Sequence, residues 1–323
     1  MSNILDNKIK ISGSIGMVKL QINNKNIYIF YDDHSNNKYC ESKNSIFLYD
    51  LFENLISNNS DYIILLEEPF TNNYSNIKFL WNNTPHVIKF RNFYKKHIHK
   101  CSDIKSCYVY PIDIRLILCD VSYDELLLNI NNKDYFKDYD ITTFEYFRYL
   151  LYLFDLIEIT NNIFKNKKYE KNIIFIKKIF NLFTKTKYYN KLKIQFIILY
   201  NYYIKPNLNI KIYDFVLLFK FGIYDFSTGY PYENINNNLT KYDFINEYDK
   251  LINGIMEFYM FILATKLTSN NIIIYAGYYH SNNLTYILKK YYKYKLTYNI
   301  GNTENIKNES EITNCLYIDK NIF

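Results

Sequence analysis

The tetrapeptide His-Ser-Asn-Asn occurs twice, at residues 34–37 and 280–283. Each copy follows an apolar run, IYIFYDD at 27–33 and IIIYAGYY at 272–279. An imidazole exchanges its proton near neutral pH, and the chain has only five histidines. Carboxylates stand at comparable places: Asp32 and Asp33 before His34, Glu67 and Glu68 after YIILL, and Asp113 near Arg115. Two imidazoles with a carboxylate make a general acid–base pair or part of a metal site. An arginine beside them would hold an anion or an oxyanion.

Such groups converge only if the runs before them are neighbouring strands. In an open α/β sheet, ligands sit outside the carboxyl ends of parallel strands. The runs at 27–33, 62–66, 107–118 and 272–277 are apolar, β-branched and aromatic, as buried parallel strands are. Residues 8–15 and 17–22 read as strands leading through an Asn-rich turn into the 27–33 run. Helical spacing covers 46–56 with Ser45 as N-cap, then 89–101 and 284–292. Ser35 and Ser281 read as loop caps. Short strands are expected at 296–299 and 315–318. Between about 121 and 267 the apolar period becomes helical throughout, as in Phe144, Phe147, Leu151, Phe154 and Leu251, Ile255, Phe258, Ile262. The expectation is an α/β fold with a mainly parallel sheet built from both chain ends and a large helical insertion. Its parts are 1–120, the insertion or lid at 121–267, and 268–323.

The 323 residues are 49% hydrophobic and 22% charged, a globular balance. Thirty-seven Tyr and 24 Phe against 7 Gly and 5 Pro point to an AT-rich genome, as in many large DNA viruses, protists and some bacteria, more than to base stacking. The formal charge of +7 comes from lysines spread among acids, with the densest run at 89–100, so nucleic acid is not the expected partner. No run reaches membrane-span length, and MSNILDNKIK lacks the apolar stretch of a secretory signal. Five cysteines without a regular framework suggest a reducing compartment, hence a cytoplasmic setting (host cytoplasm or virion for a viral protein).

A second constellation is His97, His99, Cys101 and Cys107, with Cys40 as a further candidate. Its spacing matches no zinc knuckle and reads more simply as a basic surface segment with cysteines turned inward. Asp32-x-His34 also fits the opening motif of calcineurin-like phosphoesterases, but the Gly-Asn-His that should follow is absent. Glycine poverty excludes a phosphate-binding P-loop and a dinucleotide fingerprint, and no Gly-x-Ser-x-Gly elbow occurs.

The strand-end motifs together resemble the erythromycin esterase / ChaN / TraB–TIKI superfamily. They also resemble uncharacterised proteins of large nucleocytoplasmic DNA viruses. The matching stretches are Tyr31-Asp32-Asp33-His34, Leu66-Glu67-Glu68-Pro69, Ile112-Asp113-Ile114-Arg115 and Gly277-Tyr278-Tyr279-His280. Tyr31 stands where the family has glycine. The resemblance covers 10–118 and 270–300 and leaves the helical middle unmatched. It implies a hydrolase, esterase- or metallopeptidase-like, acting on a small molecule or peptide. His34 and His280 would be the site imidazoles and the ligands of any divalent metal. Glu67 or Glu68 would be the carboxylate and Arg115 the polar partner. Neighbouring strand residues face opposite sides, so only one glutamate can serve, and Glu67 is favoured. The alternative is a non-catalytic structural or host-interaction protein on the same fold, with the Tyr- and Phe-rich helical section as its partner surface.

Overall fold

The computed structural model describes residues 8–33, 40, 45–58, 61–69, 85–98, 108–119, 121, 123–158, 170–218, 224–225, 230–231, 239–304 and 312–323. It divides into two compact units. Met1–Asp113 and Leu263–Phe323 form one, and Ile114–Ile262 the other.

In chain order the first unit holds β1 (Lys8–Ser12), β2 (Gly16–Ile22), β3 (Lys25–Asp32), β4 (Ser45–Phe47), α1 (Leu48–Asn58), β5 (Tyr62–Pro69), α2 (Pro85–Ile98) and β6 (Val109–Asp113). The second unit holds α3 (Arg115–Leu118), α4 (Tyr123–Leu128), α5 (Lys133–Lys137), α6 (Thr143–Leu153), α7 (Glu170–Asn181), α8 (Lys187–Leu199), α9 (Ile212–Leu218) and the short pair β7 (Tyr224–Asp225) and β8 (Tyr230–Pro231). Helix α10 (Leu239–Lys266) leads back into the first unit, which ends with β9 (Asn271–Gly277), α11 (Tyr278–Tyr292), β10 (Lys295–Gly301) and β11 (Cys315–Asp319).

The main sheet has the order β10-β2-β3-β9-β5-β6, and β3, β9, β5 and β6 run parallel. Strand β9 comes from the chain's last quarter yet lies between β3 and β5, so the sheet is assembled from both ends of the sequence. The inner strands are buried on both faces: Ile27 to Tyr31, Ile64 to Leu66 and Ile272 to Ala276 all lie in the interior. That double burial is why they read as unbroken apolar runs. Helices α1 and α2 cover one face, where Phe52, Phe90, Phe93 and Tyr94 meet Phe30, Ile64, Leu66 and Tyr275. Phe90 stacks on Tyr275 at 4.1 Å between ring centres. Helix α11 lies on the other face, joined to β3 by a hydroxyl–hydroxyl bond of 2.8 Å between Tyr31 and Thr285. Lys25, at the start of β3, closes the end of α10 by donating to the carbonyls of Ala264 (3.0 Å), Thr265 (3.2 Å) and Leu267 (2.6 Å). A cation there satisfies orphan carbonyls and the negative end of the helix dipole.

Four sequence expectations are corrected. Residues 45–47 form a strand parallel to β1, so the helix begins at Leu48 and Ser45 is not its cap. The 107–118 run stops being a strand at Asp113, and Arg115 opens a helical turn. The second His-Ser-Asn-Asn lies within the first two turns of α11 and is not a loop, with Ser281 buried. Cys40 and Cys315 form a disulfide across 275 residues of sequence, contrary to the expectation of reduced cysteines.

The helical unit has an aromatic core. Phe147 packs edge-on against Phe215 and Tyr248, and Phe258 likewise against Phe180. Helix α6 starts with a capping box: Thr142 accepts from the Glu145 N–H while Glu145 accepts from that of Thr142.

Candidate functional site

Strand β5 ends in two acids, and the pleat sends them to opposite faces. Glu67 points to the α11 side. One carboxylate oxygen, Oε2, accepts the backbone N–H of Gly277 at 2.6 Å. The other, Oε1, lies 3.6 Å from Nε2 of His280, beyond hydrogen-bond reach and within ion-pair range. The two side chains are 5% and 11% exposed, so solvent screens their interaction weakly.

The local sequence explains this contact. Gly277 ends β9 and is the N-cap of α11, so that helix has no capping side chain of its own. Glu67 arrives from the next strand and fills the role that a glutamate in the first turn plays in a capping box. A carboxylate is favoured there by the positive end of the helix. His280 sits in that same first turn, and this brings its imidazole to the anchored carboxylate. Ser281 pins the turn to the sheet by donating to the Ala276 and Phe30 carbonyls, at 2.9 and 3.3 Å. Tyr31 packs beside Tyr278 with ring centres 5.9 Å apart. Burial raises its hydroxyl pKa and the bond to Thr285 opposes that rise. Tyr31 is therefore a structural prop under α11.

Glu68 faces the α2 side. Its Oε2 lies 4.0 Å from Nε of Arg91, and both side chains are under 10% exposed. Burial lowers the Arg91 pKa, and the Glu68 charge partly restores it. Asp32, which pairs in register with Gly277, and Asp113 are also buried at the carboxyl ends of their strands. The carboxyl edge of the parallel strands thus carries Glu67 with His280 on one face, and Glu68 with Arg91 on the other.

His34 is outside the described residues, as are His99, Cys101 and Cys107. Arg115 belongs to the helical unit, where its Nη1 donates to Oδ1 of Asn253 at 3.2 Å. His97 meets Glu53 at 2.7 Å and packs on Phe93. Cys40 is consumed in its disulfide, so the zinc constellation loses that thiolate. Among the described residues no group of three or more His, Cys, Asp and Glu is arranged to hold a metal ion. Glu67 and His280 are two donors, and one carboxylate oxygen is already engaged. A catalytic zinc site needs three protein ligands, so the described residues do not complete one.

Arg91 was missed by the sequence reading. Its signal is a guanidinium on the apolar stripe of an amphipathic helix, beside Phe90 and one turn before Tyr94, where a solvated basic face would not place it. Compared with known protein families, curated proteins and solved structures, the chain matches none.

Proposed function

We propose that the protein is a hydrolase in which His280 is the general base and Glu67 the residue that orients it. The observation that carries this reading is the buried Glu67–His280 contact of 3.6 Å, with the carboxylate fixed from behind by the Gly277 N–H. An imidazole with its proton on Nε2, facing Glu67, has its lone pair on Nδ1. That nitrogen takes a proton from water as the water oxygen bonds to an ester or amide carbonyl carbon. It then delivers the proton to the leaving oxygen or nitrogen as the old bond breaks. Glu67 stabilises the imidazolium formed between these steps, as the third group of a catalytic triad does. Backbone N–H groups at a helix N-terminus, such as the start of α11, are donors suited to an oxyanion. The 3.6 Å gap fits a resting site, because catalytic hydrogen bonds are often long before substrate binds.

A second reading rests on the same Gly277–Glu67 bond. In it Glu67 and His280 only clamp α11 to β5, and the chain is a non-catalytic structural or host-interaction protein. Hydrolysis of short nitrophenyl esters and of a fluorogenic peptide library by wild type and His280→Ala separates the two. Hydrolysis lost in a folded His280→Ala protein supports the hydrolase. Equal rates in both, or none in wild type across the panel, leave the clamp.

A further inference from the structure

The positive charge is concentrated in a way that whole-chain composition hides. From Lys171 to Tyr213 there are nine lysines and no Asp or Glu; Lys177 and Lys193 pair with Asp155 and Lys211 with Asp140, while Lys187, Lys191 and Lys205 are exposed. This segment comprises most of α7, all of α8, a π-helical turn (Tyr200–Ile204) and a 3-10 turn (Lys205–Asn207). Helix α8 is apolar on two sides. Its inner side buries Tyr188, Tyr189, Leu192, Phe196 and Leu199 in the helical unit. Its outer side exposes Ile194 (60%), Ile198 (50%) and, in the π turn, Tyr202 (75%). Lys187 and Lys191 precede Ile194 and Ile198 on the same face of α8, and Lys205 follows Tyr202, all three lysines exposed.

Spacings of four, three and four place Lys187, Lys191, Ile194 and Ile198 in one line along α8, about 17 Å long, and Tyr202 and Lys205 follow in the π and 3-10 turns. The middle of the stripe is apolar and both ends are cationic.

We infer that this stripe is a docking surface for an anionic phospholipid bilayer, on which the helix lies in the plane of the interface. The charge order selects that occupant. Lysine ammonium groups reach lipid phosphates while the aliphatic side chains enter the acyl boundary, and tyrosine suits the level between them. A second copy of the chain is disfavoured, because an antiparallel partner would set Lys205 against Lys187 and Lys191. A nucleic acid would match the lysines but offers nothing to two isoleucines at the centre. The mode is peripheral, since among the described residues no helix is long and apolar enough to cross a membrane.

Co-sedimentation of the full chain with vesicles tests this. Vesicles of phosphatidylcholine mixed with phosphatidylserine should bind the protein, and phosphatidylcholine alone should not. Binding should weaken as salt rises. Lys187→Gln with Lys191→Gln should lower affinity roughly 30-fold, from about a fivefold contribution per lysine near an anionic surface. Ile194→Ser with Ile198→Ser should lower it about tenfold or more while circular dichroism stays that of wild type. Because all four side chains are exposed, these variants keep the core intact. No binding to the mixed vesicles overturns the inference, as does binding unchanged in the isoleucine pair. Capture of a short DNA duplex with equal affinity by wild type and the isoleucine variant would also overturn it in favour of nucleic acid.

Discussion

Replacing Glu67 should loosen the start of α11, and the size of the effect can be worked from its contacts. Glu67→Ala removes a charge-assisted hydrogen bond of 2.6 Å to the Gly277 N–H, which is buried and has no capping side chain to turn to. Such bonds contribute about 1.5–3 kcal/mol, and losing one partner leaves the other desolvated. The carboxylate also sits at the positive end of a fifteen-residue helix, worth about 0.3–1 kcal/mol more. Together the two contributions give an expected loss of about 2–4 kcal/mol. For a domain of this size that corresponds to a Tm lower by about 5–15 °C. Glu67→Gln keeps an oxygen for Gly277 and loses only the charge, so about 1 kcal/mol should go. Differential scanning calorimetry gives the Tm order wild type, Gln, Ala. Hydrogen exchange should show the Gly277 amide losing protection first in the alanine variant. A Tm for Glu67→Ala within about 1 °C of wild type would refute the capping argument.

Three further outcomes are expected. Lys293, exposed, ends α11 with φ at +59°, so Lys293→Gly should stabilise the protein by about 0.5–1 kcal/mol in urea unfolding. Cys315→Ser should cost about 2–4 kcal/mol under oxidising conditions, and the deficit should vanish when both proteins are unfolded in reductant. At Glu53, burial raises the carboxyl pKa, but hydrogen bonds from Lys96 and His97, 2.7 Å each, outweigh burial and hold it below the ordinary 4.5. A carboxyl depressed in the folded state stabilises above its unfolded value and loses that stabilisation as pH falls through the folded one. The stability advantage of wild type over Glu53→Gln should therefore be complete above pH 4.5 and fade below it, staying under about 1 kcal/mol.

The parallel strands were legible because their chemistry is local. A run such as IIIYAG is buried on both faces and looks it, and the helical period read over 121–267 overlaps most of the second unit, Ile114–Ile262. What was not legible depends on partners far away in the chain. Strand β4 is three residues long and exists by pairing with β1. Cys40 and Cys315 are joined by tertiary structure alone. Ser-Asn-Asn after His280 has loop composition, but Ser281 bonds two strand carbonyls and Leu284 and Leu288 are buried, so packing overrides weak helix propensity. Both faces of β5 are apolar, so pattern alone could not say which of Glu67 and Glu68 would meet α11. The even spread of lysines read from composition concealed the acid-free stretch that sets the character of α8.

The central claim is that Glu67 and His280 act as one catalytic unit, and a double-mutant cycle on kcat/KM tests it most directly. For the best ester found in the substrate panel, Glu67→Gln and His280→Gln should each lower kcat/KM by about 10²–10⁴, and the double variant should lose little more than the worse single variant. Single variants as active as wild type, or losses that simply multiply in the double variant, would contradict it.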